Sequence, residues 1–408
     1  MIAKSRVAAR TELQLCCLFA AVFAINGVHL PFFPLWLTAK GVTPGEIAIL
    51  VALLPALRVV STLVAARHGD RRGNYGALVV AFGLGVVSCY AAMGWVDGYA
   101  QIFLCVLALG CAQGPITVLV DGITLGEARR RRETGDAALH YSFVRGWGSA
   151  SILASMILGG AVAAAIPNSA LIWLLFAVAA GAVVASSLAL RGLPSASAPP
   201  RRHAPEPLAR PVLVALVIAS AALTVSSHGF SFAFGALHWK QNGWGESFVS
   251  LSWAAALVTE SVFFLGAGRW FGGERRAMAF LAAAGAGGAL RWLWMAFDPG
   301  AAGVIGAQLL HAFSMAAAQL GPAYLLSGLC GRERLAQAQG WFAAACSIGL
   351  SLATLASGPL RASFGEKGYF VMAAIAGVGF ALALAAGALA KRAPPAPGAG
   401  RPDAADAA

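Results

Sequence analysis

Apolar runs of about 20 residues recur along the whole of this 408-residue chain, and no other feature restricts its fold as strongly. Each run is long enough to cross a hydrocarbon core of about 30 Å as a helix. About twelve are present, at 13–38, 46–66, 75–96, 99–125, 139–164, 168–190, 211–238, 247–267, 277–297, 301–327, 335–359 and 367–390. They do not alternate polar with apolar residues, as the strands of an outer-membrane barrel do. Composition agrees: 59% of residues are hydrophobic and 11% charged, where a soluble domain has about 25% charged. An all-α integral membrane protein is expected. The first run reads as a span rather than a cleaved signal, because it is long, lacks a small-residue cleavage site and is followed by further spans.

The net charge of +12 would suit a nucleic-acid partner, but its distribution argues against one. With the N-terminus in the cytoplasm, roughly 22 Lys and Arg fall in cytoplasmic loops and tails and roughly 4 in outer loops. Arg58, Arg145 and Arg291 lie inside spans and complete the 29. This bias puts both termini in the cytoplasm of a multi-pass protein of the cell inner membrane. RRRR at 129–132 is then a topology signal, with anionic lipid as a secondary partner. Seven cysteines lie mostly in spans, without the spacing of a disulfide framework or metal site, and no cofactor motif is present. The stretch RGLPSASAPPRRHAPEPLARP is too rich in Pro, Ser and Arg to bury a core. The expected organisation is a six-helix bundle over 1–190, a cytoplasmic linker over 191–210, a second six-helix bundle over 211–390 and a disordered tail over 391–408.

The halves look like weak repeats. ARHGDRRGNY (66–75) follows the second run and GRWFGGERRA (268–277) the eighth, an offset of about 202 residues that also maps Arg58 onto Glu260. ARHGDRRGNY resembles the loop signature of the major facilitator superfamily. Asp70, Arg71 and Gly73 match it, while Ala66, Asn74 and Tyr75 depart from it. LPFFPLWLTAKGVTPGEI, VLVDGITL, VRGWGS, SHGF, TES, LRWLW and QLLHAF resemble, in order along nearly the whole chain, the phenylpropionate permease group, which is related to the lactose permease and the nucleoside–proton symporters. The resemblance implies twelve transmembrane helices in two bundles that rock about a midplane site. It also implies a cytoplasmic gate at Asp70, Arg71 and Gly73, where Asp70 would cap a helix N-terminus.

Ionisable side chains inside spans are expensive, by about 2.5–3.5 kcal/mol on insertion scales, and usually face a bundle interior or a wet cavity. Here they are Arg58, Asp121, Arg145, His228, Glu260, Arg291 and His311. At 1.5 Å of rise per residue, Asp121, Arg145 and Glu260 all fall about 6–10 Å from the cytoplasmic edge. In the facilitator fold that the resemblance implies, helix five faces helix eight, so Arg145 is placed to bridge Asp121 in its own half and Glu260 in the other. Glu260, Arg291 and His311 resemble the Glu–Arg–His cluster that couples protons in the lactose permease. Gln308 stands where that permease has a lysine, and Ser314 where it has a second carboxylate. Glu260 is thus the candidate coupling carboxylate, with Arg291 and His311. Burial disfavours a charged carboxylate and an approaching arginine favours it, so alternation between the two would bind and release a proton. A permanent salt bridge between the bundles is the other reading.

Asp121, Arg145, Arg58, Asn26, His29, His228 and Gln308 are candidate substrate contacts, as is Trp147 by stacking on a ring. Arg58 is read as a gate or a substrate anchor. Trp239 reads as interfacial, and of Phe230, Phe232 and Phe234 about half are expected to face lipid. Ser151, Ser155 and Gly159, and Ala343, Ser347 and Ser351, form small-residue faces that let helices approach closely. The expected function is proton-coupled symport of a small organic solute by a monomer. Three intramembrane arginines favour a carboxylate, and the resemblance adds an aromatic acid such as a phenylpropionate. A nucleoside or sugar is the alternative solute. An exporter would carry a Gly-Pro motif on the fifth helix, which lacks proline between Arg145 and Gly160. An enzyme would need a nucleophile or metal cluster, and no HExxH, Cys/His cluster or Gly-x-Ser-x-Gly is present.

Overall fold

A computed structural model of the chain describes residues 2–72, 74–136, 139, 141–193, 210–270, 274–330 and 332–392. Among the described residues there are helices and turns and no strand. The helices are α1 (Ile2–Ala39), α2 (Pro44–Arg72), α3 (Tyr75–Met93), α4 (Tyr99–Thr134), α5 (Tyr141–Ala163), α6 (Leu171–Ala189), α7 (Pro211–Gln241), α8 (Glu246–Trp270), α9 (Glu274–Met295), α10 (Ala301–Leu329), α11 (Arg332–Phe364) and α12 (Tyr369–Arg392). Among the described residues, ten segments are long and apolar enough to cross a membrane. One of these, Gln337–Lys391, takes in parts of both α11 and α12, and α9, which carries Arg291, is not among the ten.

Local chemistry sets the helix ends. α1 stops where Gly41 takes a positive φ of 76°, and the Val42 N–H returns to the Leu37 carbonyl at 3.1 Å. Two residues later Thr43 and Glu46 start α2 with reciprocal bonds: Thr43 N–H to Glu46 at 2.9 Å and Glu46 N–H to Thr43 Oγ1 at 3.4 Å. α2 and α4 run several residues beyond their apolar runs, because backbone bonding does not end at the edge of an apolar stretch.

Two helices depart from the uninterrupted runs expected. α7 breaks at Ser227 and His228 into Pro211–Ser226 and Gly229–Gln241. A Cβ on Gly229 would lie 2.6 Å from the Thr354 backbone nitrogen, so the break brings α7 against the backbone of α11. α10 contains a π-helical turn, Ala312–Ala317, directly after His311. Such turns occur frequently at functional sites.

Within the first six helices α1 packs along α5 and α6, and α4 along α2 and α3. Within the last six, α12 packs along α9 and α7, and α7 along α11. Between the two sets α2 lies along α11 and α5 along α8. The two ends of the molecule differ. At the arginine-poor end, which carries the α1–α2 and α7–α8 loops, one apolar core runs from Trp36, Ile47 and Ala163 to Phe234, Val249 and Tyr369. There Gly358 would place a Cβ 2.9 Å from Gly45 Cα, and Gly160 lies directly against the Ser250 side chain. At the arginine-rich end the last six helices have separate cores, one around Leu213, Leu281 and Leu325 and another around Ile218, Leu326 and Ala338. Among the described residues, the two sets are thus joined at one end and share no buried core at the other.

Candidate functional site

Between the two sets of helices lies a cavity of about 380 Å³, within the ~300–1,000 Å³ range of small-molecule sites. The first half supplies its polar wall: Asn26 and His29 on α1, Arg58 on α2, and Gln113 and Thr117 on α4. The last half supplies a mostly apolar wall, with Val225, Phe232, Met315 and Leu350. The Gln113 side chain donates to Asn26 Oδ1 at 3.0 Å. His29 Nδ1 lies 2.9 Å from the buried Tyr90 hydroxyl, and its ring stacks on Phe33 at 4.5 Å. The Arg58 charge is attracted by Asp121 and repelled by Arg145.

Behind the apolar wall lies a buried polar network on α7, α8, α9 and α10. Its centre is Arg291, which is almost wholly buried. Its Nη1 contacts His311 Nδ1 at 2.8 Å, His228 Nε2 at 3.2 Å and Ser314 Oγ at 3.2 Å. Its Nη2 donates to Gln308, which in turn donates to Ser252 at 2.8 Å. The guanidinium also lies 4.3 Å from the Trp292 ring centre. His311 Nε2 lies 3.3 Å from Glu260 Oε2.

Donor–acceptor logic assigns both histidine tautomers. A guanidinium can only donate, so His311 Nδ1 accepts and carries no proton. The ring proton then sits on Nε2 and points to Glu260. In His228 the order reverses: Nδ1 donates to the Val225 carbonyl at 3.1 Å, and Nε2 receives Arg291. Two neutral histidines in opposite tautomers therefore flank one cation. Glu260, His311 and Arg291 form a continuous chain of three side chains on three helices. A second proton can enter His311 at Nδ1 only if Arg291 leaves. Among the described residues, no group of three or more His, Cys, Asp or Glu is arranged to hold a metal ion.

The structure separates residues that sequence depth had grouped. Asn26, His29 and Arg58 line the cavity. His228 and Gln308, candidate substrate contacts by sequence, instead belong to the Arg291 network. Arg145 forms no ion pair with Asp121 or Glu260 among the described residues; its guanidinium lies 4.2 Å from the Phe23 ring and 5.8 Å from Phe19. The helical rotation of α5 turns it towards α1, so the expected bridge gives way to a cation–π contact, although its charge still acts on Glu260. Trp147, two residues on, is 48% exposed and is not on the cavity wall. Phe230 and Phe234 are buried and Phe232 lines the cavity, so none of the three faces lipid; Trp239 is also buried. Asp70 and Arg71 lie outside the described side chains, and Gly73 outside the described residues. Ser151, Ser155 and Gly159 pack on α1: Ser151 donates to the Ala20 carbonyl at 2.6 Å, and Ser155 lies against Gly27.

Sequence reasoning missed Tyr90, Gln113 and Ser252. Gln113 sits in GCAQGP, where the glycines and proline drew attention away from the amide.

The profile of the MFS_1-like family matches residues 12–372. The chain is 24% identical over 364 residues to the "Probable 3-phenylpropionic acid transporter" of Escherichia coli (strain K12), covering 87% of this chain and 92% of that one. Its fold is similar to that of a point mutant of the nucleoside transporter NupG, with a TM-score of 0.77, 15% identity and 93% and 99% of the two chains covered. An auto-inhibited POT family peptide transporter gives a TM-score of 0.69 at 13% identity, with 96% and 99% covered. A helical protein with spans long enough for a membrane, a cavity between its halves and a family match over most of its length is a transporter, and this chain belongs to the MFS_1-like family of the major facilitator superfamily.

Proposed function

We propose that this protein is a proton-coupled symporter that imports a small organic acid across the inner membrane by alternating access. In this reading all twelve helices cross the membrane with both termini inside, as two six-helix bundles in one monomer. The arginine-rich end faces the cytoplasm. The core shared at the arginine-poor end then corresponds to an inward-facing conformation. The observation that carries the reading is the Glu260–His311–Arg291 chain, placed one layer behind the cavity wall. Phe232, which lines the cavity, packs on the His228 ring at 5.7 Å, and Val225, on the same wall, accepts the His228 N–H. A change in the cavity therefore reaches the network directly. Glu260 takes the coupling proton from one side, His311 and Arg291 hold its charged form in the other state, and the solute travels in the cavity. A phenylpropionate-like acid is the leading solute, supported by the relative's name. A nucleoside is the alternative, favoured by the amide pair Asn26–Gln113 and the likeness to NupG.

Proteoliposomes with wild type or Glu260→Gln test this. Labelled 3-phenylpropionate and a nucleoside are offered with an imposed proton gradient, and exchange is followed separately at equal pH. Uphill uptake is expected to vanish in the variant while exchange persists. Full uphill uptake by Glu260→Gln would remove that residue from coupling.

A further inference from the structure

We propose that Arg58 holds the carboxylate of the transported solute, and that the site selects acids over neutral analogues of the same shape through this one residue. The inference rests on the reading of the cavity as the transport site, and it names the solute class and the group that recognises it.

Three intramembrane arginines are available, and the structure distinguishes them. Arg291 is buried behind the wall and committed to Gln308, Ser314 and two histidines. Arg145 lies on the Phe19 and Phe23 rings and is not on the cavity wall. Arg58 lines the cavity and is solvent-accessible within it. Among the described residues it is the one Lys or Arg on that wall, and no ion pair within 4 Å satisfies its guanidinium. Its placement depends on a close helix approach: a Cβ on Gly114 of α4 would lie 2.8 Å from Arg58 Cα. The rest of the wall suits an apolar ring, with Phe33, Phe232, Met315 and Leu350 around the same space.

A guanidinium on a cavity wall presents a fork that matches a carboxylate with two parallel hydrogen bonds. A neutral amide or alcohol of the same shape would displace water from that charge without replacing its counter-charge. The penalty for an unmatched polar group is what makes such sites selective. Arg58 therefore serves as a filter as well as an anchor.

The experiment is competition for uptake by wild type, Arg58→Gln and Arg58→Lys in proteoliposomes. Paired competitors are 3-phenylpropionate against 3-phenylpropionamide and benzoate against benzamide, with a labelled nucleoside as a further tracer. The acid-over-amide ratio is read within each preparation, so it does not depend on how much protein folds. Wild type is expected to prefer acids, and Arg58→Gln to lose about ten- to a hundredfold of that preference. Arg58→Lys is expected to keep part of it, because an ammonium pairs as a point charge without the fork. An Arg58→Gln protein that retains the wild-type ratio would overturn the assignment while leaving acid transport intact. Wild type that moves the nucleoside and ignores every acid would overturn the solute reading and the assignment with it. The two failures are told apart by the wild-type data alone.

Discussion

Around the cavity, the two halves handle polar groups in opposite ways. In the first half, Asn26 with Gln113 and His29 with the buried Tyr90 form neutral pairs, and Asn26, Gln113 and His29 line the cavity, where water can replace a lost partner. In the last half, a single charge is enclosed and divided among four neutral acceptors, and the nearest acid is reached only through His311. The first arrangement can adapt to a solute. The second has little slack, since four of its members share one donor, Arg291. Recognition suits the adaptable half, and switching suits the half whose members share one donor.

The contrast can be broken first at Arg291. Arg291→Leu removes the common donor of His311 and Gln308 and leaves His228 paired with Ser314 alone, at 3.2 Å. At about 1–3 kcal/mol for each unsatisfied group, this should give the largest loss of thermal stability in detergent, together with loss of coupled uptake. His311→Ala is next. It opens the chain between Glu260 and Arg291, and uphill uptake should fall by about a hundredfold while exchange survives, as expected for loss of a proton-transfer group. Gly358→Ala tests motion rather than chemistry. Its new methyl meets Gly45 Cα at 2.9 Å and Ala48 Cβ at 3.0 Å. Overpacking of about 1–3 kcal/mol should push the population towards opening at that end, which spin-label distances across α2 and α11 would register. Asn26→Ala should cost only about 1 kcal/mol, because Gln113 can turn to cavity water. If it destabilises as much as Arg291→Leu, the contrast between the halves is wrong. Trp147→Ala should change stability and transport least, within about 0.5 kcal/mol, as its exposed ring is away from the cavity.

Much of the axial order was legible in the sequence and little of the angular order. Apolar runs mark helices, and rise per residue orders groups by depth, so Glu260, Arg145 and Asp121 looked level. Depth does not say which way a side chain points around a helix. A membrane helix is apolar on all sides, so no stripe reveals its buried face. Arg145 therefore turned out to lie on Phe23, and Trp147 off the cavity wall. The break at His228 and the π-turn after His311 are invisible for another reason. Both sit where a neighbouring helix comes close, Thr354 at Gly229 and Gly287 at Phe313, and no local residue preference records those contacts. The partnership of Glu260 with His311 joins α8 to α10, a distance along the chain that only the fold closes.

The seam at the arginine-poor end carries a last consequence. Among the described residues its ion pairs, Lys40 with Asp97, Lys240 with Glu246, His238 with Asp298 and Glu366, and Arg361 with Glu366, each stay within one half. Across the seam, Gly358 meets Gly45 and Gly160 meets Ser250. Two such surfaces part as a peeling contact does. The work grows with the area already separated, and no single latch must fail before the rest can follow. Resistance to opening is spread thinly along the line, so a modest push from a filled cavity can start the separation at one edge and let it travel.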